Sequence, residues 1–274
     1  MLEPEALMKL HVTHVGSGTP RVAFLHGLLG RGKNWAAVAK TLADRWPSLL
    51  YDLPNHGRSP WTDDLTYPTQ ADALAADLRR RGLADGSLVI VGHSMGGKVA
   101  MTFALRHPDM LRGLVVIDIA PDHSLTGYGF GAYVDALKAV DLDQLTRRVD
   151  ADTQLAATVA SPATRAFLLQ NLHRESGRWR WLPHLDLIRY DIGQISAWPE
   201  GLTGPWEGPT LWVRGGDSDY VRDEHGAHMR GLFPRVRLVT IKNAGHWVHA
   251  DQPEALTRTL AMFLAAVDAE APVG

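Results

Sequence analysis

Short apolar runs alternate with amphipathic stretches along most of the chain. Runs rich in Val, Ile and Leu predict seven strands, at residues 7–15, 22–25, 48–52, 88–91, 114–119, 210–213 and 236–241. Most of these runs lack the polar alternation of a half-exposed strand, which favours strands that are covered on both faces. Between the runs, apolar residues recur at helical spacing, as in Trp35, Val38, Leu42 and Trp46. The pattern predicts an α/β fold with a mostly parallel central sheet flanked by helices.

The alternation breaks once, between residues 122 and 208. Helical patterns follow one another there without a convincing strand, and Ser161-Pro162 is a favourable start for a helix over residues 163–172. The segment also contains many aromatic residues: Tyr128, Phe130, Tyr133, Phe167, Trp179, Trp181, Tyr190, Trp198 and Trp206. We interpret residues 122–208 as a helical cap, inserted into an α/β core that consists of residues 1–121 and 209–274.

Composition narrows the classes of partner. The chain has 274 residues and a formal net charge of −2, so neither nucleic acid nor an acidic membrane surface is indicated as a partner. No run reaches the roughly 18 apolar residues of a membrane span, and the first residues lack the pattern of a secretory signal. We therefore expect a cytoplasmic protein without membrane insertion.

Cysteine is absent, which excludes disulfides, thiolate zinc sites and a cysteine nucleophile. No feature of the sequence specifies an oligomeric state.

A candidate nucleophile lies between the fourth predicted strand and a helix. The segment Gly92-His93-Ser94-Met95-Gly96 matches the pattern G-x-S-x-G in the strand, turn and helix context that the motif requires. Small residues are needed on either side of the serine because strand and helix approach closely there. The N–H of Met95 is placed to bind an oxyanion. An incidental serine in a glycine-rich turn is the alternative, and the flanking strand and helix favour the nucleophile.

A second oxyanion donor is expected from the loop after the second predicted strand. In this type of site that loop supplies an N–H group, and the residue that follows His26-Gly27 is Leu28. A plain glycine-rich turn would explain the glycines and leave His26 without a role.

The base and the acid are identified by position. Among 13 histidines, His246 follows the last predicted strand and precedes the last helix, where a loop histidine can reach back over Ser94. Three aspartates lie at the carboxyl ends of predicted strands: Asp118, Asp217 and Asp219. Asp118 continues a buried apolar strand, where an unpaired carboxylate is costly, so we expect it to be the acid. Asp217 and Asp219 lie in a turn and stay as alternatives.

Five sequence blocks in the same order resemble the α/β-hydrolase superfamily over nearly the whole chain. They are residues 26–30, 52–60, 92–98, 118–121 and 245–250. The blocks most resemble the branch of small-cap serine esterases that includes the bacterial esterase YbfF. The resemblance implies an α/β-hydrolase fold with a cap inserted after strand six. The superfamily usually places its acid after strand seven, and that frame holds Ser218 here. The resemblance to the esterase branch implies Asp118 instead.

These residues predict hydrolysis of a small-molecule ester or thioester with a small to medium acyl group. Ser94, His246 and Asp118 would act through an acyl-enzyme, without metal or organic cofactor. His225 and His228 have no third ligand in the sequence pattern, so a metal site is not expected there. Two alternatives stay open. One is C–C bond hydrolysis or cofactor-free peroxidase activity on the same triad, and the other is a non-hydrolytic small-molecule receptor.

Overall fold

A seven-stranded sheet forms the centre of the protein. The computed structural model describes residues 8–122, 129–202 and 204–270. Its strands are β1 (Val12–Val15), β2 (Val22–Leu25), β3 (Ser48–Tyr51), β4 (Val89–His93), β5 (Gly113–Ile117), β6 (Leu172–Glu175), β7 (Arg178–Trp181), β8 (Thr210–Gly215) and β9 (Val236–Ile241). The central sheet has the order β1-β3-β2-β4-β5-β8-β9, and only the pairing of β1 with β3 is antiparallel. The predicted mostly parallel sheet is confirmed.

Alternate residues of the central strands belong to two apolar cores, one on each face of the sheet. In β2, Val22 and Phe24 pack into one core, whereas Ala23 and Leu25 pack into the other. All four residues are fully buried, as expected for a strand covered on both faces. This packing explains why the run of β2 is apolar at every position.

Helices cover both faces of the sheet. The described helices are α1 (Ala36–Leu42), α2 (Tyr67–Arg80), α3 (Met95–Arg106), α4 (Phe130–Lys138), α5 (Arg148–Leu155), α6 (Pro162–Leu169), α7 (Leu185–Tyr190), α8 (Ile192–Ser196), α9 (Gly226–Leu232), α10 (Val248–Asp251) and α11 (Pro253–Ala269). Apolar residues of α1 and α11 share one core, and those of α2 and α3 share the other. Among the described residues, no helix is both long and apolar enough to span a bilayer.

Residues 122–208 lie between β5 and β8, and we refer to them as the insertion. Its described part contains α4 to α8 and also the antiparallel pair β6–β7. The prediction of a segment without strands was therefore wrong. Helix α6 ends at Leu169, and the chain turns back at Ser176 and Gly177, which both have positive φ. Such a two-residue turn matches the twist of a hairpin, and the Arg-Trp alternation of β7 is the sequence signal that we missed.

Several expectations include residues outside the described ranges. The first predicted strand began at Leu7, and the core and insertion boundaries include residues 1–7, 123–128, 203 and 271–274. Tyr128 of the predicted aromatic set also lies outside the described residues.

Candidate active site

Ser94 lies on a sharp turn between β4 and α3. Its backbone has φ 52° and ψ −119°, a conformation that an L-residue rarely adopts and that is held here by its surroundings. Its N–H donates to the carbonyl oxygen of Ile117 at 3.0 Å. A Cβ atom on Gly92 would lie 2.1 Å from the carbonyl oxygen of Gly96, and one on Gly96 would lie 2.5 Å from that of His26. Only glycine fits these two positions, as the sequence pattern indicated.

His246 is hydrogen-bonded on both sides of its ring. Its Nε2 lies 3.0 Å from Ser94 Oγ, and its Nδ1 lies 2.8 Å from Asp118 Oδ2. The loop between β9 and α10 carries this histidine to the end of β4. The structure thus brings together the predicted nucleophile, the predicted base and the first-choice acid.

Asp118 is fully buried directly after β5 and accepts further hydrogen bonds. Its Oδ1 accepts from the N–H of Gly215 at 2.9 Å, and its Oδ2 accepts from Ser218 Oγ at 2.5 Å. The two alternative acids, Asp217 and Asp219, are exposed in the turn after β8. Ser218, which occupies the usual acid position of the superfamily, instead donates to the carboxylate of Asp118.

The loop after β2 is held in place by His26. The N–H of Leu53 donates to His26 Nε2 at 3.0 Å, so the ring proton is on Nδ1, which donates to the carbonyl oxygen of Gly27 at 2.8 Å. Burial lowers the pKa of His26, which favours this neutral form. Leu28 lies in this loop and lines the same cleft as Ser94. Met95 begins α3 directly after Ser94, where helical N–H groups lack an intrahelical acceptor.

A narrow cleft surrounds Ser94. Its lining residues are His26, Gly27, Leu28, Gly30, Asn34, Trp35, His93, Ser94, Phe130, Phe167, His246, Trp247 and His249. Phe130 and Phe167 belong to the insertion, so the insertion supplies an apolar part of the wall. The lining combines bulky apolar side chains with four histidines, Asn34 and Ser94.

Two further histidines pack beside His246. His93 Nε2 is hydrogen-bonded to the backbone oxygen of His246 at 2.8 Å, and the His93 ring lies between the rings of His246 and His249. Burial lowers the pKa of His93 well below its usual value and lowers that of His249 to about 4. Both rings are therefore neutral at pH 7. His93 holds the His246 loop through its hydrogen bond and ring packing, and His249 packs against His93 and Trp35. Neither ring adds charge to the cleft.

Sequence reasoning did not identify Tyr220 as part of the site, and it named Phe167 only as one of the aromatic residues of the insertion. The Tyr220 ring stacks on His246, with centroids 3.7 Å apart and planes 15° apart. The stacking limits rotation of the imidazole. Tyr220 lies in an irregular loop, where no periodic pattern marks a residue.

The described residues contain no group of three or more His, Asp or Glu side chains arranged to hold a metal ion. His225 Nε2 has carboxylate oxygens of Asp122 and Glu224 at 3.9 Å, beyond hydrogen-bonding distance.

Comparison with known proteins identifies the family. The family model of the α/β hydrolase fold matches residues 20–253. The chain is 39% identical over 252 residues to the sn-1-specific diacylglycerol lipase ABHD11 of Mus musculus, covering 90% of this chain and 81% of that protein. It is 29% identical over 244 residues to esterase YbfF of Escherichia coli, covering 89% of this chain and 92% of that protein.

A solved structure described as a marine microorganism esterase superposes with a TM-score of 0.90 at 36% identity, covering 93% of this chain and 99% of that one. The chain therefore belongs to the α/β-hydrolase fold family, as a carboxylic ester hydrolase of the esterase and lipase type.

Proposed function

We propose that the protein hydrolyses a carboxylic ester or thioester with a small to medium acyl group, through an acyl-enzyme formed on Ser94. His246 is the general base, and Asp118 holds its ring in the required tautomer. The N–H groups of Leu28 and Met95 bind the oxyanion. No metal or organic cofactor takes part in this mechanism.

One observation carries the proposal. Asp118, His246 and Ser94 form a continuous line of hydrogen bonds of 2.8 and 3.0 Å, and it ends at a serine that lines a cleft. In this arrangement a nucleophile and base lie within hydrogen-bonding distance and a third group orients the base. A buried carboxylate at Nδ1 keeps the ring proton there, so Nε2 is free to accept the proton of the serine.

The reaction then proceeds in two halves. Ser94 Oγ attacks the acyl carbonyl as His246 Nε2 takes its proton, and the two N–H groups stabilise the negative charge that develops on the carbonyl oxygen. The imidazolium next protonates the leaving alcohol or thiol, and the acyl group stays on Ser94. In the second half His246 removes a proton from water, which attacks the acyl-enzyme and releases the acid.

We further propose that residues 122–208 act as a cap on a core of residues 1–121 and 209–274. The contribution of Phe130 and Phe167 to the wall of the cleft supports this division. A narrow apolar wall favours short to medium uncharged acyl chains over dicarboxylic or phosphorylated ones. The mouse relative is named for diacylglycerol, so a lipid ester is the comparison substrate of interest.

The test combines active-site labelling with a substrate series. A fluorophosphonate probe should label the protein once, at Ser94. Steady-state rates would be measured on p-nitrophenyl esters and acyl-CoA thioesters of increasing chain length, with a diacylglycerol beside them. Multiple turnovers with a preference for short to medium chains support the proposal. Binding with a single slow turnover would indicate a receptor, and cleavage of a β-diketone but of no ester would indicate C–C bond hydrolysis.

A further inference from the structure

Lys98 is a buried lysine for which the proposed reaction has no use. It lies on α3, four residues after Ser94, and only 1% of it is exposed. Its Nζ donates to three backbone carbonyl oxygens: those of Asp122 at 2.9 Å, Ser196 at 2.8 Å and Ala197 at 2.8 Å. An ammonium group has three donors, so these acceptors use all of them.

All three acceptors belong to the insertion, and they come from two distant parts of it. Asp122 is its first residue, whereas Ser196 and Ala197 lie at the end of α8, near the point where the chain returns to the core. One side chain on the helix of Ser94 therefore holds the entry of the insertion and a stretch close to its exit.

Tyr67, the first residue of α2, strengthens the second of these attachments. Its hydroxyl donates to the carbonyl oxygen of Ile195 at 2.5 Å, and its ring centroid lies 5.7 Å from Lys98 Nζ. Three consecutive carbonyl groups, at residues 195–197, thus accept hydrogen bonds from core side chains. The last carbonyls of a helix have no intrahelical donor, and lysine side chains near a helix end satisfy them well.

Packing alone does not explain a lysine at this position. Burial lowers the pKa of Lys98 to about 7, which shows that desolvation penalises its charge. Neighbouring positions on α3 are filled by buried apolar residues such as Val99 and Met101. An apolar side chain would avoid the desolvation cost, but it would leave the carbonyls of the insertion without their donor.

We propose that Lys98 is a positioning residue that fixes the insertion on the helix of the nucleophile, and that Tyr67 assists it. Together they set the position of the apolar wall that contains Phe130 and Phe167 relative to Ser94. Lys98 then determines which acyl chains are held productively and takes no part in proton transfer. This inference rests on the proposed esterase function.

The experiment compares Lys98→Met with Lys98→Arg, Tyr67→Phe and a control, Lys138→Met. Lys138 is a half-exposed lysine of α4 that pairs with Asp186 on the surface of the insertion, so its loss removes the same charge without touching the attachment. Lys98→Met should raise KM for medium-chain esters and lower kcat/KM by up to about 10²-fold, as expected when a substrate is misplaced by about 1 Å. Acetyl esters, which extend less far towards the wall, should lose far less.

Rescue and exchange measurements separate positioning from mere folding. Lys98→Arg keeps the cation and its donors and should recover part of the medium-chain activity. Tyr67→Phe should shift KM in the same direction by a smaller factor, and Lys138→Met should match the wild type. Hydrogen exchange should accelerate in peptides from residues 129–138 and 192–202 of Lys98→Met, while peptides from the central strands of the sheet keep their protection.

The outcomes distinguish this inference from the proposed function. A wild-type protein without ester turnover refutes the proposed function, and hydrogen exchange still tests the attachment. Active wild type together with unchanged KM and exchange in Lys98→Met refutes the inference alone. If Lys98→Met does not fold, Tyr67→Phe decides: wild-type KM values and exchange in this variant overturn the inference, whereas raised medium-chain KM supports it.

Discussion

Replacing Asp118 by Asn tests the proposed acid directly. The carboxylate accepts from His246 Nδ1, from Ser218 Oγ and from the N–H of Gly215. An asparagine has nearly the same shape but only one acceptor oxygen. If its amide nitrogen faces His246, the ring has to accept at Nδ1, and its proton moves to Nε2. The base would then point an N–H at Ser94 and could not remove the serine proton.

The expected loss is large because the change affects the tautomer and not only the geometry. Loss of a triad aspartate in this way lowers kcat by about 10⁴-fold, which corresponds to about 5.5 kcal/mol of transition-state stabilisation. The measurement is kcat on a p-nitrophenyl ester, with circular dichroism and thermal unfolding to verify the fold. The rate of fluorophosphonate labelling should fall in parallel, since it also requires an activated Ser94.

Asp217→Asn, Asp219→Asn and their double mutant are the matched controls. Both carboxylates are exposed in the turn after β8, so each single change should cost less than about tenfold. The double mutant tests whether one turn carboxylate replaces the other. Near-normal activity of Asp118→Asn, combined with collapse in a turn mutant, would refute the reasoning and return the acid to the usual place in the superfamily.

Three further predictions follow from the site and its support. Ser94→Ala should abolish probe labelling and leave less than about a thousandth of the ester turnover, measured on a folded protein. Gly96→Ala should lower the free energy of unfolding in urea by about 1–3 kcal/mol, because the alanine Cβ would lie 2.5 Å from a carbonyl oxygen. Gly231→Ala, near the C-terminal end of α9 where a Cβ would meet open space, should be neutral or slightly stabilising. Burial lowers the pKa of His56 to about 3 and that of His249 to about 4. The unfolded chain therefore binds more protons below about pH 6.5, so stability should fall as the pH drops, by about 2 kcal/mol per histidine at pH 5. His249→Gln should reduce the loss of unfolding free energy between pH 7 and pH 5. An unchanged pH dependence of stability would show that His249 is not one of the groups responsible.

The central strands of the sheet were predictable because they are buried on both faces. In a run such as β2, which is apolar at every position, the shortness of the run and the turn residues around it favour a strand over a helix, and β2 has the predicted bounds. The edge strand β9 is mostly exposed and includes polar residues, yet it also has the predicted bounds. The hairpin β6–β7 was missed for the opposite reason. Its strands are half-exposed, and the apolar spacing of α6 continues through Leu172, which is buried at the start of β6. Leu172 fits both the helical spacing of α6 and the two-residue alternation of β6, so the apolar pattern alone could not locate the end of the helix.

The candidate site was predictable where a residue type is fixed by local geometry. The two glycines around Ser94 are required by close backbone approach, and that requirement can be read from a pentapeptide. The partners of Lys98 are backbone carbonyls of residues 122, 196 and 197, and a carbonyl has no residue-type signature. Tyr220 reaches His246 only through the conformation of the turn after β8. These contacts depend on the three-dimensional path of the chain.

Asp118, the proposed acid, lies beside the strand end where the superfamily usually places its acid. Strands β5 and β8 are parallel neighbours, with Ile117 paired to Val213, so their carboxyl ends lie side by side. The N–H of Asp118 donates to the carbonyl oxygen of Val213, and its carboxylate accepts from Gly215, the last residue of β8, and from Ser218 in the loop that follows. A carboxylate from either strand end can therefore reach His246 Nδ1. Because Ser218 supplies a donor where the superfamily usually has a carboxylate, only one negative charge is buried, and the repulsion between two adjacent carboxylates is avoided.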